Sequence, residues 1–187
     1  VAVVSGRQRE DVEKLVGMKG IFYAGSHGFD IVGPGFTMIH PEAKKTIPVV
    51  ERVIKRLTEE IGKISGVIIE QKKFSVAAHY RLVAGKDLPG VKKAVDDVIK
   101  KNDSLRLLSG KMVYEILPNI DWDKGKAIRW IMDALKISWD GSSVVYIGDD
   151  TTDEYAFRAL RTRGTAILVA ESPKESTADF GCLAPMR

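Results

Sequence analysis

The sequence is poor in cysteine: Cys182 is the only one in 187 residues. A single thiol excludes an internal disulfide and any cysteine-based zinc cluster, and it fits a reducing compartment. Histidine is nearly as scarce. His27, His40 and His79 are the only three, too few for a histidine-rich metal site, and no serine–histidine–acid spacing is present. No apolar run is long enough to cross a bilayer and no signal-peptide pattern is found, so a cytoplasmic protein with no membrane partner is expected. Blocks of like charge are missing too. Lys plus Arg number 29 against 25 for Asp plus Glu, a scattered excess of +4. That argues against a nucleic-acid arm and suits an anionic small molecule. There is no methionine at the start. Val1-Ala2-Val3-Val4 reads instead as a strand buried on both faces, which needs neighbours, so the chain is expected to begin inside a domain.

What is present is a good core, with 44% hydrophobic residues, enough for one ordinary domain or two small compact units. The flanks have a β/α rhythm. Val1–Val4 leads through Ser5-Gly6-Arg7 to a helix near Arg9–Val16, and short strands follow at Ile21–Ala24 and Phe29–Val32. Past the turn residues Gly33-Pro34-Gly35 the rhythm changes. Pro41–Ile64 is a long amphipathic helix, Val67–Glu70 and Phe74–Val83 are strands, Pro89 opens a second helix, and Leu105–Leu108 and Met112–Leu117 are two more strands. This αββαββ order predicts an antiparallel sheet with two helices on one face. After Pro118-Asn119 the β/α rhythm returns: helix Lys126–Leu135, buried strand Val144–Ile147, helix Glu154–Arg161, strand Ala166–Val169, then loop to Arg187. The fold class expected is therefore α/β. A doubly wound parallel-sheet core (residues 1–35 and 118–187) carries an inserted α+β segment (residues 36–117).

The chemistry is concentrated where strands of the flanks end. Tyr146-Ile147 runs into Gly148-Asp149-Asp150-Thr151-Thr152-Asp153-Glu154. Strand ends are where α/β sheets bind ligands, and clustered carboxylates suit a hard cation such as Mg²⁺. Acids also favour a helix start, but four in six residues exceed what one cap needs. Ser5-Gly6-Arg7 offers free backbone N–H groups to a phosphate, or a plain serine cap. Lys124 stands at the start of its helix, where a cation is mildly unfavourable; neutralising a bound phosphate would explain it, as would a lysine turned to solvent. In the middle segment a period of two turns Phe74, Val76, Ala78, Tyr80 and Leu82 toward the helices and puts His79 and Arg81 on the other face. Lys111 and Glu115 alternate in the same way, and Glu70 lies near a strand end beside Lys72 and Lys73. Such mixed donors and acceptors suit a hydroxyl-rich sugar phosphate, or an ordinary solvated sheet face. His27, between Gly25-Ser26 and Gly28, is either structural or aimed into a cleft.

In order along nearly the whole chain, Val4-Ser5-Gly6-Arg7, Gly25-Ser26-His27-Gly28, Asp121-Trp122-Asp123-Lys124-Gly125-Lys126-Ala127 and Tyr146 to Glu154 resemble the trehalose-6-phosphate phosphatases of the haloacid dehalogenase-like superfamily. His27, Glu70, His79-Tyr80-Arg81 and Gly110-Lys111 with Glu115 make the resemblance family-specific. It implies a Rossmann-like core with a mobile cap that shuts out water, and a phosphoric monoester hydrolase of trehalose biosynthesis working through an aspartyl-phosphate with Mg²⁺ as cofactor. By the same resemblance Ser5 and Lys124 grip the phosphoryl group, Asp149 ligates the metal, and Asp150 and Asp153 support it and the lysine. Arg7, His27, Glu70, Lys72 or Lys73, His79, Arg81, Lys111 and Glu115 contact the substrate. Fusion to or association with a trehalose-phosphate synthase is a further implication. The family's first motif, a strand ending in two aspartates one residue apart, is absent. Asp121-Trp122-Asp123 has the spacing but follows no buried strand. The nucleophile strand is expected upstream of Val1, lying between the strands that end at Ser5 and Asp149. The core is thus expected to be incomplete at its N-terminus, and residues 1–187 alone to be inactive and poorly stable. The C-terminal Cys182–Arg187 is likewise expected to stop short of a final helix. The alternatives are a phosphatase for another sugar phosphate, such as sucrose phosphate, and a non-catalytic sugar-phosphate-binding regulatory domain.

Overall fold

A computed structural model describes residues 1–138 and 144–184. In chain order its elements are β1 (Ala2–Val4), α1 (Arg9–Val16), β2 (Phe22–Gly25), a 3-10 turn (Ser26–Gly28), β3 (Asp30–Gly33), β4 (Phe36–Ile39), α2 (Pro41–Ile61), β5 (Ile68–Gln71), β6 (Val76–His79), α3 (Leu88–Lys100), β7 (Leu105–Gly110), β8 (Val113–Pro118), α4 (Lys124–Ala134), β9 (Val145–Gly148), a second 3-10 turn (Thr151–Asp153), α5 (Glu154–Leu160), β10 (Thr165–Ala170) and β11 (Phe180–Leu183). The chain divides into two compact units, residues 1–38 with 122–187, and residues 39–121. No helix among the described residues is long and apolar enough to cross a membrane.

The first unit is mixed α/β, with parallel ladders as expected. β1 pairs with β2 in parallel, and β10 pairs in parallel with both β9 and β11. The two sheets run β1-β2-β3-β4 and β11-β10-β9. Helix α4 serves both. Ala127 and Ile131 pack with Phe22, Ala24 and Ile31, while Ile128 and Met132 pack with Ala156 and Leu160; Val4 of β1 touches both groups. α4 and α5 approach closely at Gly125, where a Cβ would sit 2.4 Å from the Tyr155 carbonyl oxygen. The expectation that Val1–Val4 is buried on both faces fails. Val1 is 90% exposed and β1 only partly buried. β9, expected to be buried, exposes Val145 and Ile147 and covers only Tyr146. The reason is shared: β1 and β9 are both sheet edges. Two strands escaped the sequence reading, β4 just past Gly33-Pro34-Gly35 and β11 in the expected terminal loop. Pro185–Arg187 lie outside the described residues.

The second unit has the expected αββαββ order, with an all-antiparallel sheet β5-β6-β8-β7. Val50, Val53, Leu57 and Ile61 of α2 and Val91, Val95 and Val98 of α3 pack on Val76, Ala78 and Ile116. Leu57 is fully buried, and burial of such a side chain is worth roughly 1.5–3 kcal/mol. α2 runs unbroken through Pro48 and stops at Ile61, three residues before the expected end, with Gly62 at its C-cap. β6 is much shorter than the expected Phe74–Val83. The chain turns after His79, so Arg81 and Leu82 lie in a turn and Leu82 is 73% exposed rather than set against the helices. Lys111 and Met112 likewise form the turn between β7 and β8, with Met112 at φ +62°, so Lys111 does not alternate with Glu115 on a strand.

Candidate active site

Lys124 and Asp153 form the centre of the first unit's polar cluster. Lys124 opens α4 behind Asp123, whose carboxylate caps the helix by accepting from the Lys126 N–H at 2.9 Å. The lysine is not turned to solvent. It is 5% exposed, and its Nζ donates to Asp153 Oδ1 at 2.7 Å. Asp153 is equally buried and accepts three further hydrogen bonds, from the Tyr146 hydroxyl at 2.6 Å and from the backbone N–H groups of Asp149 and Asp150 at 3.0 and 2.9 Å. Burial pushes its carboxyl up, but the hydrogen bonds from Lys124 and Tyr146 outweigh it and hold the group below the usual carboxylate range. Burial, reinforced by Asp153, pushes the Tyr146 phenol above its ordinary value. Gly148 is required here. A Cβ on it would meet the Asp153 carboxyl carbon at 2.5 Å.

The two remaining acids of the pair differ. Asp150 accepts from the Thr151 N–H at 2.6 Å and closes a capping box with Asp153, so the helix-start explanation of the acidic cluster is correct for this residue. Asp149 is exposed, and its carboxylate has no hydrogen-bond or ion-pair partner among the described residues. Its hard oxygens suit a divalent cation. Among the described residues, however, no three of His, Cys, Asp and Glu come together as a metal site, so Asp149 and Asp150 would supply only a fraction of a coordination shell. Glu154 serves structure. Its carboxylate accepts from Ser176 Oγ, Thr177 N and Thr177 Oγ1, and Lys174 Nζ reaches the Asp149 carbonyl oxygen at 3.2 Å.

Ser5, Arg7 and His27 come together in a second cluster. Ser5 Oγ accepts from the Arg7 N–H at 3.1 Å, the His27 N–H donates to the Ser5 carbonyl at 2.9 Å, and the Ser26 N–H donates to the Arg7 carbonyl at 2.7 Å. The His27 ring lies against Gly6, where an added Cβ would be 2.7 Å from Cε1. Ser26 and His27 both hold positive φ, +50° and +58°. Consecutive left-handed non-glycine residues are strained, and such strain gathers at functional turns. This turn also packs on α4 through Gly28, whose Cβ would meet that of Ala127 at 2.4 Å.

In the second unit the period-two reading holds where the strands persist. Glu70 of β5 and Glu115 of β8 both stand opposite Ala77, and His79 is two residues along, so the three share the face away from the helices. His79 Nε2 lies 2.8 Å from Glu70 Oε2. Glu115 Oε1 accepts from Lys72 Nζ at 3.0 Å and Ser75 Oγ at 2.7 Å. The lysines separate: Lys73 lies over the Phe74 ring, 5.2 Å from its centroid. Arg81 and Lys111 are exposed in turns, with no ion-pair partner among the described residues. Sequence reasoning missed Ser75 and Tyr146 as site residues. Ser75 had a signal, since it alternates onto the His79 face.

A trehalose-phosphatase family model matches residues 1–183 of the chain. The chain belongs to the trehalose-phosphatase family. It is 45% identical over 174 residues to a trehalose-phosphate phosphatase of Mycobacterium avium, covering 90% of this chain and 44% of that protein. Identity is 42% to that of Mycobacterium marinum, covering 100% and 49%, and 39% to probable trehalose-phosphate phosphatase D of Arabidopsis thaliana, covering 98% and 53%. The chain thus spans about half the length of the curated relatives it matches. Among solved structures it resembles a trehalose-6-phosphate phosphatase related protein (TM-score 0.81, 22% identity, 98% of this chain and 74% of that one). The C-terminal domain of a Candida albicans trehalose-6-phosphate phosphatase is similar as well (TM-score 0.73, 20% identity, 98% and 73%). The α/β expectation and the family resemblance both agree with these findings.

Proposed function

We propose that this trehalose-phosphatase works as a Mg²⁺-dependent phosphoric monoester hydrolase that releases phosphate from trehalose 6-phosphate. The observation that supports this best is the buried Lys124–Asp153 pair, 2.7 Å apart at the start of α4. A buried ion pair is a weak stability device but a good anion grip. Lys124 supplies positive charge in a water-poor setting, and Asp153 holds it in place. Ser5 adds a hydroxyl, and the N–H groups after β1 add fixed donors for the charge that develops on the phosphoryl oxygens. Asp149, supported by Asp150, offers oxygens to Mg²⁺, which when bound neutralises phosphate charge. The aspartate that carries the phosphoryl group belongs, on this reading, to a segment outside these 187 residues, as the open edges of β1 and β9 allow. Recognition of the sugar falls to Glu70, Lys72, His79 and Glu115 on the open sheet face of residues 39–121. The two hydrogen-bonded pairs fix those side chains before a hydroxyl-rich ligand arrives.

The fold does not by itself separate a phosphatase from a regulator: the C-terminal domain of a Candida albicans trehalose synthase regulatory protein shares it at a TM-score of 0.77 and 12% identity. The test is phosphate release by the full-length protein from trehalose 6-phosphate, with and without Mg²⁺, beside sucrose 6-phosphate. Mg²⁺-dependent release from the trehalose ester alone is expected. Preference for sucrose phosphate would overturn the substrate, and binding without release would favour the regulatory reading.

A further inference from the structure

Tyr146 reaches the Lys124–Asp153 pair from β9. Its neighbours Val145 and Ile147 are exposed on the opposite face, while its ring packs edge-on against Phe157 with centroids 5.8 Å apart. A phenylalanine would fill that apolar space equally well, so packing accounts for the ring and not for the hydroxyl. The hydroxyl donates to Asp153 Oδ1 at 2.6 Å, the same oxygen that takes Lys124 Nζ at 2.7 Å. The other oxygen, Oδ2, takes the two backbone N–H groups of Asp149 and Asp150. A carboxylate has about four acceptor sites, and here four donors fill them. The terminal torsion of an aspartate is otherwise broad; this one is pinned from both ends.

We propose that Tyr146 is a positioning residue, whose hydroxyl fixes the Asp153 carboxylate and through it the place of the Lys124 ammonium. The inference rests on the phosphoryl-gripping role of Lys124. Without the hydroxyl, Oδ1 keeps only Lys124, and the pair is free to swing together about the Asp153 side chain. The lysine stays buried and paired but loses its set point. Misplacement of a gripping group is felt most where charge is developing, so turnover suffers more than ground-state binding.

The test is a double-mutant cycle in the full-length protein, with phosphate release from trehalose 6-phosphate as the readout. Tyr146→Phe is expected to lower kcat about tenfold with KM within about twofold. In a Lys124→Ala background it is expected to change kcat no further, because its effect travels through that lysine. An equal loss in both backgrounds overturns the proposal, as does a Tyr146→Phe enzyme with wild-type kcat beside an impaired Lys124→Ala enzyme. If Lys124→Ala itself turns over at the wild-type rate, the gripping role fails and the proposal falls with it. A second measurement needs no turnover. In ¹⁵N-lysine spectra of the metal-free protein, the Lys124 Nζ signal is expected to shift and broaden in Tyr146→Phe. An unchanged signal means the hydroxyl does not position the lysine.

Discussion

Replacing Asp153 with alanine removes the carboxylate that holds Lys124 Nζ and strands four donors at once. The side chains of the pair are 6% and 4% exposed, so water does not screen the loss. Breaking a buried ion pair from one side costs about 3–5 kcal/mol, because the remaining charge stays buried without its partner. The same principle gives a second expectation. Replacing both partners by apolar residues of similar volume removes the stranded charge, so Lys124→Met with Asp153→Leu should cost far less than the two single changes added together. All three tryptophans, Trp122, Trp130 and Trp139, lie in the 122–187 segment of the first unit, so urea denaturation followed by tryptophan fluorescence reads the right unit. Acid adds an independent check. Because the folded-state carboxyl is held below its usual range, its contribution is present above about pH 4 and is lost as pH falls through the folded value. Asp153→Asn should flatten that acid limb. Strict additivity of the two apolar substitutions, or a loss below about 1 kcal/mol for Asp153→Ala, would refute the buried-pair energetics.

Three further outcomes are expected. Gly148→Ala pushes a methyl group against the Asp153 carboxylate and should lower phosphate release by up to about 100-fold, the cost of displacing a positioned group by about an ångström; steady-state kinetics checks it. Lys72→Ala should raise KM for trehalose 6-phosphate about tenfold, the scale of one charge-assisted hydrogen bond, while Lys73→Ala, whose ammonium lies over Phe74, should leave KM within about twofold. Burial lowers the His40 pKa, so the unfolded chain takes up its proton first as pH falls below about 6.5 and stability drops. Circular-dichroism melts between pH 7.5 and 5.5 should show that slope in the wild type and less of it in His40→Gln.

Much of this was legible in the residues. A lysine at the positive end of a helix is costly, and that misfit marked Lys124 before its partner was visible. Four acids after an apolar strand marked the strand end. Their division of labour was not legible, because whether Asp150 caps a turn or Asp149 stands free depends on backbone geometry. The αββαββ order followed from helical and two-residue periods. Strand lengths did not, because alternation continues through Tyr80, Arg81 and Leu82 after the chain has turned. β11 escaped notice because Phe180-Gly181-Cys182-Leu183 has little strand character of its own and is made a strand by pairing with β10. Tyr146 read as one more apolar strand residue; only the fold brings its hydroxyl to a carboxylate seven positions on.

The central claim is that the buried lysine at the start of α4 grips a phosphoryl group. Its most direct test is the rate of phosphate release from trehalose 6-phosphate by the full-length protein and by its Lys124→Ala variant, at saturating Mg²⁺. Removal of one preorganised donor is expected to lower kcat by about 100- to 1,000-fold. A variant that turns over at the wild-type rate would contradict the account.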